Sequence, residues 1–154
     1  MPDSPDRYEQ HSYLPSGYWT GFYVYYHSQE RHEMLLMLDF INGNISGNGH
    51  DDVGAFTFEG RYDLTSMTCR FMKHYSTHQI DYHGQIDENG IWGKWYYVYY
   101  PGMGIDEAAF NKLMSEFRQQ FAGGFHIWPR NKEFSAHEMA IRKLKEEEVV
   151  KLVE

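Results

Sequence analysis

The run Met67-Thr68-Cys69-Arg70-Phe71-Met72-Lys73-His74-Tyr75 places a charged group where apolar ones are expected. In an extended strand, residues two apart share a face, so the parity that holds Met67, Cys69, Phe71 and Tyr75 also holds Lys73. An ammonium on an apolar face needs a partner. If that face points into an interior, Lys73 is the counter-charge for an acidic group on a ligand, with Tyr75, Tyr23, Tyr25 and Tyr97 as hydrogen-bond donors. The plainer alternatives leave Lys73 at a rim, reaching solvent along its stem, or pair it with Asp39 or Asp51.

Aromatic residues surround this motif in the sequence. The run Tyr18–Tyr26 alternates Trp19, Gly21, Tyr23 and Tyr25 with Tyr18, Thr20, Phe22, Val24 and Tyr26, and Ile91–Tyr100 alternates Gly93, Trp95, Tyr97 and Tyr99 with Trp92, Tyr96, Val98 and Tyr100. Phe56 and Phe58 add two rings at strand spacing. A lumen lined by such rings suits a planar or apolar ligand, since phenol and indole combine a stacking surface with one polar handle. A core simply filled by rings explains the same pattern. Because both faces carry rings, part of the outer wall is expected to lie under helices or another subunit.

Other chemistries find less support. His74, His78 and His83 are the closest histidines, but a turn separates them, and cross-strand polar pairing accounts for them better than a metal does. His126 stands alone. Cys69, the single cysteine, excludes an intramolecular disulfide and a cysteine-rich zinc site, and its parity makes it a small inert hydrophobe. Residues Gly47–Gly54 hold Asp51 and Asp52, yet lack the ligand spacing of a calcium loop and the helix that a phosphate-binding glycine motif requires; they read as a loop at the mouth of a barrel. No nucleophile motif or carboxylate pair assigns a catalytic residue, and no cofactor or metal is implied.

These side chains need a sheet to position them. Period-two runs separated by glycine, asparagine and aspartate predict antiparallel strands at about Tyr18–His27, Glu33–Ile41, Asn44–Gly49, Gly54–Tyr62, Met67–Tyr75, Gln79–Ile86, Ile91–Tyr100 and Gly124–Pro129. Asn42-Gly43 suits a two-residue hairpin, and Glu88-Asn89-Gly90 a short loop. Eight such strands favour closure into an up-and-down barrel, which removes exposed edges. Phe110, Leu113, Met114, Phe117 and Phe121 recur at helical spacing and predict one amphipathic helix over 105–122, its stripe buried at the mouth or flank. Ser135 and Glu138 form a capping box for a C-terminal helix over 131–154, whose apolar ends bury while the charged block Arg142–Glu148 faces solvent. Residues 1–16, with three prolines, read as a flexible lead-in to a barrel domain over 17–130.

Gly17-Tyr18-Trp19 at the start of the first strand resembles the Gly-x-Trp signature of the lipocalins and the wider calycin group that includes the avidins. The strand count and the helix after the last strand are also similar to that group. The resemblance implies an eight-stranded calycin-like barrel closed at its lower end by Trp19, and a small-ligand carrier function. The inserted helix, and Asp81-Tyr82 lying within a strand in place of a Thr-Asp-Tyr turn, depart from the lipocalin pattern.

With 154 residues and 42% hydrophobic content the chain is long enough for one domain with a real core. Its net charge of -8 argues against nucleic acid as a partner. No apolar run is long enough to span a bilayer, and the opening residues lack the basic start and apolar middle of a signal peptide, so a soluble, cytoplasmic protein is expected. The reading is a small-ligand-binding barrel whose site is Lys73, Tyr75, Tyr23, Tyr25, Phe56, Phe58, Trp95 and Tyr97, the ligand being partly apolar, with or without an acidic group. The alternatives are a protein- or peptide-interaction module on a filled barrel, partnering itself or another protein through the outer aromatic face or C-terminal helix, and an isomerase or cyclase acting in the lumen.

Overall fold

The computed structural model describes residues 7–26, 28–132 and 135–152. Met1–Asp6 of the expected lead-in, His27 at the end of the expected first strand, and Glu133, Phe134, Val153 and Glu154 of the expected last helix lie outside them. Eight strands run β1 (Gly17–Tyr25), β2 (His32–Ile41), β3 (Asn44–His50), β4 (Ala55–Asp63), β5 (Thr68–His74), β6 (Gln79–Asp87), β7 (Gly90–Tyr97) and β8 (Ala122–Pro129), with α1 (Glu107–Glu116) and α2 (Arg118–Phe121) before β8 and α3 (Ala136–Leu152) after it. Each strand pairs antiparallel with the next, and β8 pairs with β1 to close the barrel. The expected up-and-down barrel, inserted helical segment and C-terminal helix are all present.

Register follows the turns. Asn42 and Gly43 both adopt left-handed φ (52° and 81°), the backbone of the hairpin turn that Asn-Gly favours. The pairing Gly17↔Leu38 through Tyr23↔His32 then sends Trp19, Tyr23 and the buried residues Met34, Leu36, Leu38 and Phe40 inward. The outward residues on β4 to β7 include Glu59, Arg61, Arg70, Gln85 and Lys94. No helix among the described residues is long and apolar enough to cross a membrane.

The interior is filled. Phe71 stacks on Tyr82 at 5.1 Å, Phe125 meets Tyr82 edge-on at 4.7 Å, and Phe58 lies 4.7 Å from Phe71. Each such buried ring contributes roughly 1.5–3 kcal/mol. Trp95 reaches across the β1–β8 seam, its indole N–H donating to the carbonyls of Val24 (3.1 Å) and Gly124 (3.0 Å). Gly123 makes room for it, because a Cβ there would stand 2.7 Å from the indole and 1.8 Å from the Val24 oxygen. An open aromatic lumen is therefore not what the rings build; the filled core is.

The lower end of the barrel and the inserted helix show how the local packing is achieved. Among the described residues ahead of β1, Tyr8 bridges to Ile41, the Glu9 amide donates to the Phe40 carbonyl (2.8 Å), and Leu14 is fully buried. Trp19 is buried against Phe40 and donates to the Pro15 carbonyl (2.8 Å), so the Gly17-x-Trp19 motif closes this lower end together with the lead-in. The single helix expected over 105–122 breaks at Phe117 into α1 and α2, and of its apolar stripe Phe110 is buried while Leu113 and Phe117 are exposed.

The last helix docks through charge. Met139 and Leu144 are 54% and 64% exposed, whereas Glu146, inside the block expected to face solvent, is buried. Its carboxylate accepts from Arg142 Nε (3.1 Å), pairs with Arg31 (3.0 Å) and lies 3.5 Å from His126 Nδ1. Arg142 also sits 3.9 Å over the Trp128 ring. Beside α3, Phe22, Val24 and Trp92 form a second cluster on the outer wall with Tyr26 and Trp128 against it, so part of the outer aromatic face is covered as expected.

Candidate functional site

The strand directions bring the turns at 51–54, between β3 and β4, and 75–78, between β5 and β6, to one end of the barrel, together with the residues after β7. Lys73 points into that end and is 1% exposed. Strand parity decided this: Lys73 pairs with Phe58 on β4 and Ile80 on β6, both buried. Its partner is Asp51, whose side chain is wholly buried and whose Oδ2 also accepts a hydrogen bond from Tyr75. The ion pair with Asp51 foreseen as an alternative thus forms inside the barrel, not at its rim.

Rings enclose the ammonium. Phe56, Tyr75 and Tyr23 lie with their centroids 4.2, 4.9 and 5.0 Å from Nζ, Met34 Sδ is 3.4 Å away, and the Tyr82 hydroxyl oxygen is at 3.4 Å. Attraction of the cation to ring faces is worth on the order of 0.5–2 kcal/mol per ring, far below the cost of burying a charge. Burial lowers the Lys73 pKa to about 8, the nearby Asp51 carboxylate opposing it, so the ammonium still predominates at neutral pH. Burial and hydrogen bonds to Asp52 and Asp51 respectively raise Tyr23 and Tyr75 far above the ordinary phenol value, which leaves both as donors.

A second carboxylate extends the cluster outward. Asp52 accepts from the Tyr23 hydroxyl (2.5 Å) and bonds His32 Nδ1 (2.5 Å), and His32 stacks on Tyr23 at 4.8 Å. Burial opposes ionisation of Asp52, but the bonds from Tyr23 and His32 outweigh it and hold the carboxyl below its usual range. Across the mouth, His78 is sandwiched between Tyr75 (4.6 Å) and Tyr97 (5.1 Å); burial and the Lys73 charge lower its pKa.

Of the residues singled out from sequence, Lys73, Tyr75, Tyr23, Tyr25, Trp95 and Tyr97 share a cavity here with Val53, His78, Ile80 and Tyr82. Phe56 touches the ammonium, while Phe58 lies deeper, in the ring stack. The cavity admits the centre of a water molecule over only about 10 Å³, about one water. A larger concavity of about 890 Å³ lies on the outer wall, lined by Arg61, Arg70, His83 and Lys94 among others, but it is open and solvent-facing. The buried ion pair and the polar groups that converge on it are at the mouth, so the site is placed there.

His32, Met34 and Tyr82 were not singled out from sequence, and Asp52 and His78 were weighed there only as a loop carboxylate and a metal-ligand candidate. The signal for Tyr82 was its shared parity with Ile80 and Ile86; for Asp52 and His32, spacing carried none. The histidines separate: His74 bonds Glu59 (2.9 Å), His83 bonds Asp81 (3.1 Å) and Tyr96 (2.6 Å), and His126 faces outward, bonding the Asn89 carbonyl (2.7 Å). Cys69 is buried, and that burial pushes its thiol up to about 12. Comparison with known protein families, curated proteins and solved structures finds no match to this chain.

Proposed function

We propose that the protein is a soluble, cytoplasmic calycin-like barrel that binds a small, partly apolar ligand with an acidic group, held at the barrel mouth in place of a deep lumen. The observation that supports it is Lys73: a buried ammonium at one end of an otherwise apolar core, with Tyr75 and Tyr23 as fixed donors and Tyr25, His78 and Tyr97 as flat surfaces around it. Buried ion pairs are poor stabilisers compared with apolar packing, and perturbed titratable groups gather at binding sites. The charged outer wall of β4 to β7 fits a barrel surrounded by water.

The test is native mass spectrometry and calorimetry with a panel of short lipids, isoprenoids and planar aromatic acids. Binding of at least one acid that is lost in Lys73→Met supports the reading. Absence of binding across the panel by folded protein sinks it.

A second reading, a protein-interaction module on a filled barrel, draws on the filled interior and on Ile105, Leu113 and Phe117, which stand exposed around α1. Its test is the oligomeric state in solution, and whether Phe117→Asp changes it.

A further inference from the structure

The anion that satisfies Lys73 does not come from the barrel wall. It comes from Asp51, in the short connection between β3 and β4, and that connection is a self-contained unit. Asp51 Oδ1 accepts from the amides of Val53 (2.9 Å) and Gly54 (3.3 Å), and the Asp51 amide donates to the Gly54 carbonyl (3.1 Å). These three hydrogen bonds close the turn on itself around the Asp51 carboxylate. Its attachments to the barrel side chains are polar: Oδ2 of Asp51 to Lys73 and Tyr75, and Asp52 to Tyr23 and His32. Val53, the apolar residue of the turn, lines the cavity yet is 52% exposed.

Around Nζ, the other near groups are rings, a thioether and a phenol. The cage is complete except for one carboxylate. The turn delivers that carboxylate from the solvent side, next to the small cavity between Tyr25, His78 and Tyr97.

We infer that Asp51 is an internal ligand: its carboxylate occupies the position that the carboxylate of a small aromatic or aliphatic acid takes, and the 51–54 turn is the lid that lifts when the exchange occurs. The inference rests on the mouth being a binding site, as proposed above. In the exchange no covalent bond changes; Lys73 and Tyr75 trade one carboxylate for another, Asp51 passes into water, and the tail of the acid lies against the rings at the mouth. An internal competitor lowers the apparent affinity of the external acid by the fraction of molecules in which the lid is open. Removing the competitor therefore tightens binding.

The experiment titrates phenylacetate, and phenylacetamide as its neutral counterpart, into the full chain and into Asp51→Asn and Asp51→Gly, by calorimetry and by NMR of the Tyr75 and His78 rings. The expected result is phenylacetate binding at least about 10-fold tighter in the variants than in the unaltered chain, with phenylacetamide gaining less than about 2-fold. Asp52→Asn, which keeps Asp51 and loosens only the outer latch, gives an intermediate gain and serves where the Asp51 variants do not fold. If the unaltered chain binds phenylacetate and the folded variants bind it no tighter, the lid is overturned while the site stands. Equal gains for acid and amide overturn the replacement of Asp51, because they show only uncovered apolar surface. If neither the unaltered chain nor any folded variant binds phenylacetate or the wider panel of acids, the site itself fails and the inference with it.

Discussion

Lys73 and Asp51, twenty-two residues apart in sequence, bury their charges against each other at the end of a filled barrel, with side-chain exposures of 1% and 0%. The pair holds together because neither charge has reached water and each has a second partner, Tyr75 for the carboxylate and the ring cage for the ammonium. Breaking one side leaves the other uncompensated.

Lys73→Met keeps the length and apolar stem but leaves Asp51 buried beside rings. The expected loss is about 3–5 kcal/mol in urea unfolding. Adding Asp51→Asn to that variant recovers most of the loss. If the two substitutions are instead additive, the pair is not coupled.

Alkaline pH first raises the stability of the fold. Lys73 titrates at about 8 in the folded protein, whereas in the unfolded chain it keeps the ordinary lysine value near roughly 10.4. Between about pH 8 and 10 the unfolded state holds the extra proton, so stability climbs, by at most about 1.4 kcal/mol per pH unit. Above about pH 10 the trend reverses, because Tyr23 and Tyr75 are raised in the folded state and ionise first in the unfolded one. Denaturant midpoints measured across this range should show the climb, and Lys73→Met should abolish it.

Acid acts on the docked helix. Burial works against ionisation of Glu146, but His126, Arg31 and Arg142 outweigh it and bring its pKa down to about 2. Its contribution, on the order of 2–3 kcal/mol, is present above about pH 4.5 and is lost as pH falls through about 2. Acid unfolding followed by Trp128 fluorescence should show this loss, and Glu146→Gln should be the less stable protein at neutral pH with a flatter acid limb.

Tyr23→Phe removes the donor that ties Asp52 to the barrel wall at 2.5 Å. The expected cost is about 1–2 kcal/mol. The amides of Val53 and Gly54 should exchange with deuterium faster, while those of β6 and β7 keep their protection.

Gly123→Ala tests the ring packing. The new Cβ would stand 1.8 Å from the Val24 oxygen and 2.7 Å from Trp95, so the β1–β8 seam must open. The expected destabilisation exceeds about 3 kcal/mol, with a red shift of tryptophan emission as Trp95 meets water.

Much of this was legible in the residues themselves. Alternation put Lys73 on the apolar face of its strand and left Asp39 and Asp51 both open as partners; the burial of Leu38 and Phe40 on either side of Asp39 in the barrel then turns Asp39 outward and leaves Asp51. Asn42-Gly43 specified its hairpin because a left-handed pair of residues has few other solutions. The helical break at Phe117 and the burial of Glu146 on α3 were not legible: an apolar stripe is a statement about one element, while Glu146 is buried by charges that arrive from Arg31 and His126 on other elements.

Residue order determined which side chains face inward and where the chain turns, since strand parity and turn geometry are local properties of the backbone. Only the tertiary structure decided that the interior is filled and that Asp51 supplies the carboxylate at the mouth. The space left inside a barrel depends on how rings from all its strands interdigitate. The meeting of a loop carboxylate with a strand ammonium depends on closure of the whole sheet.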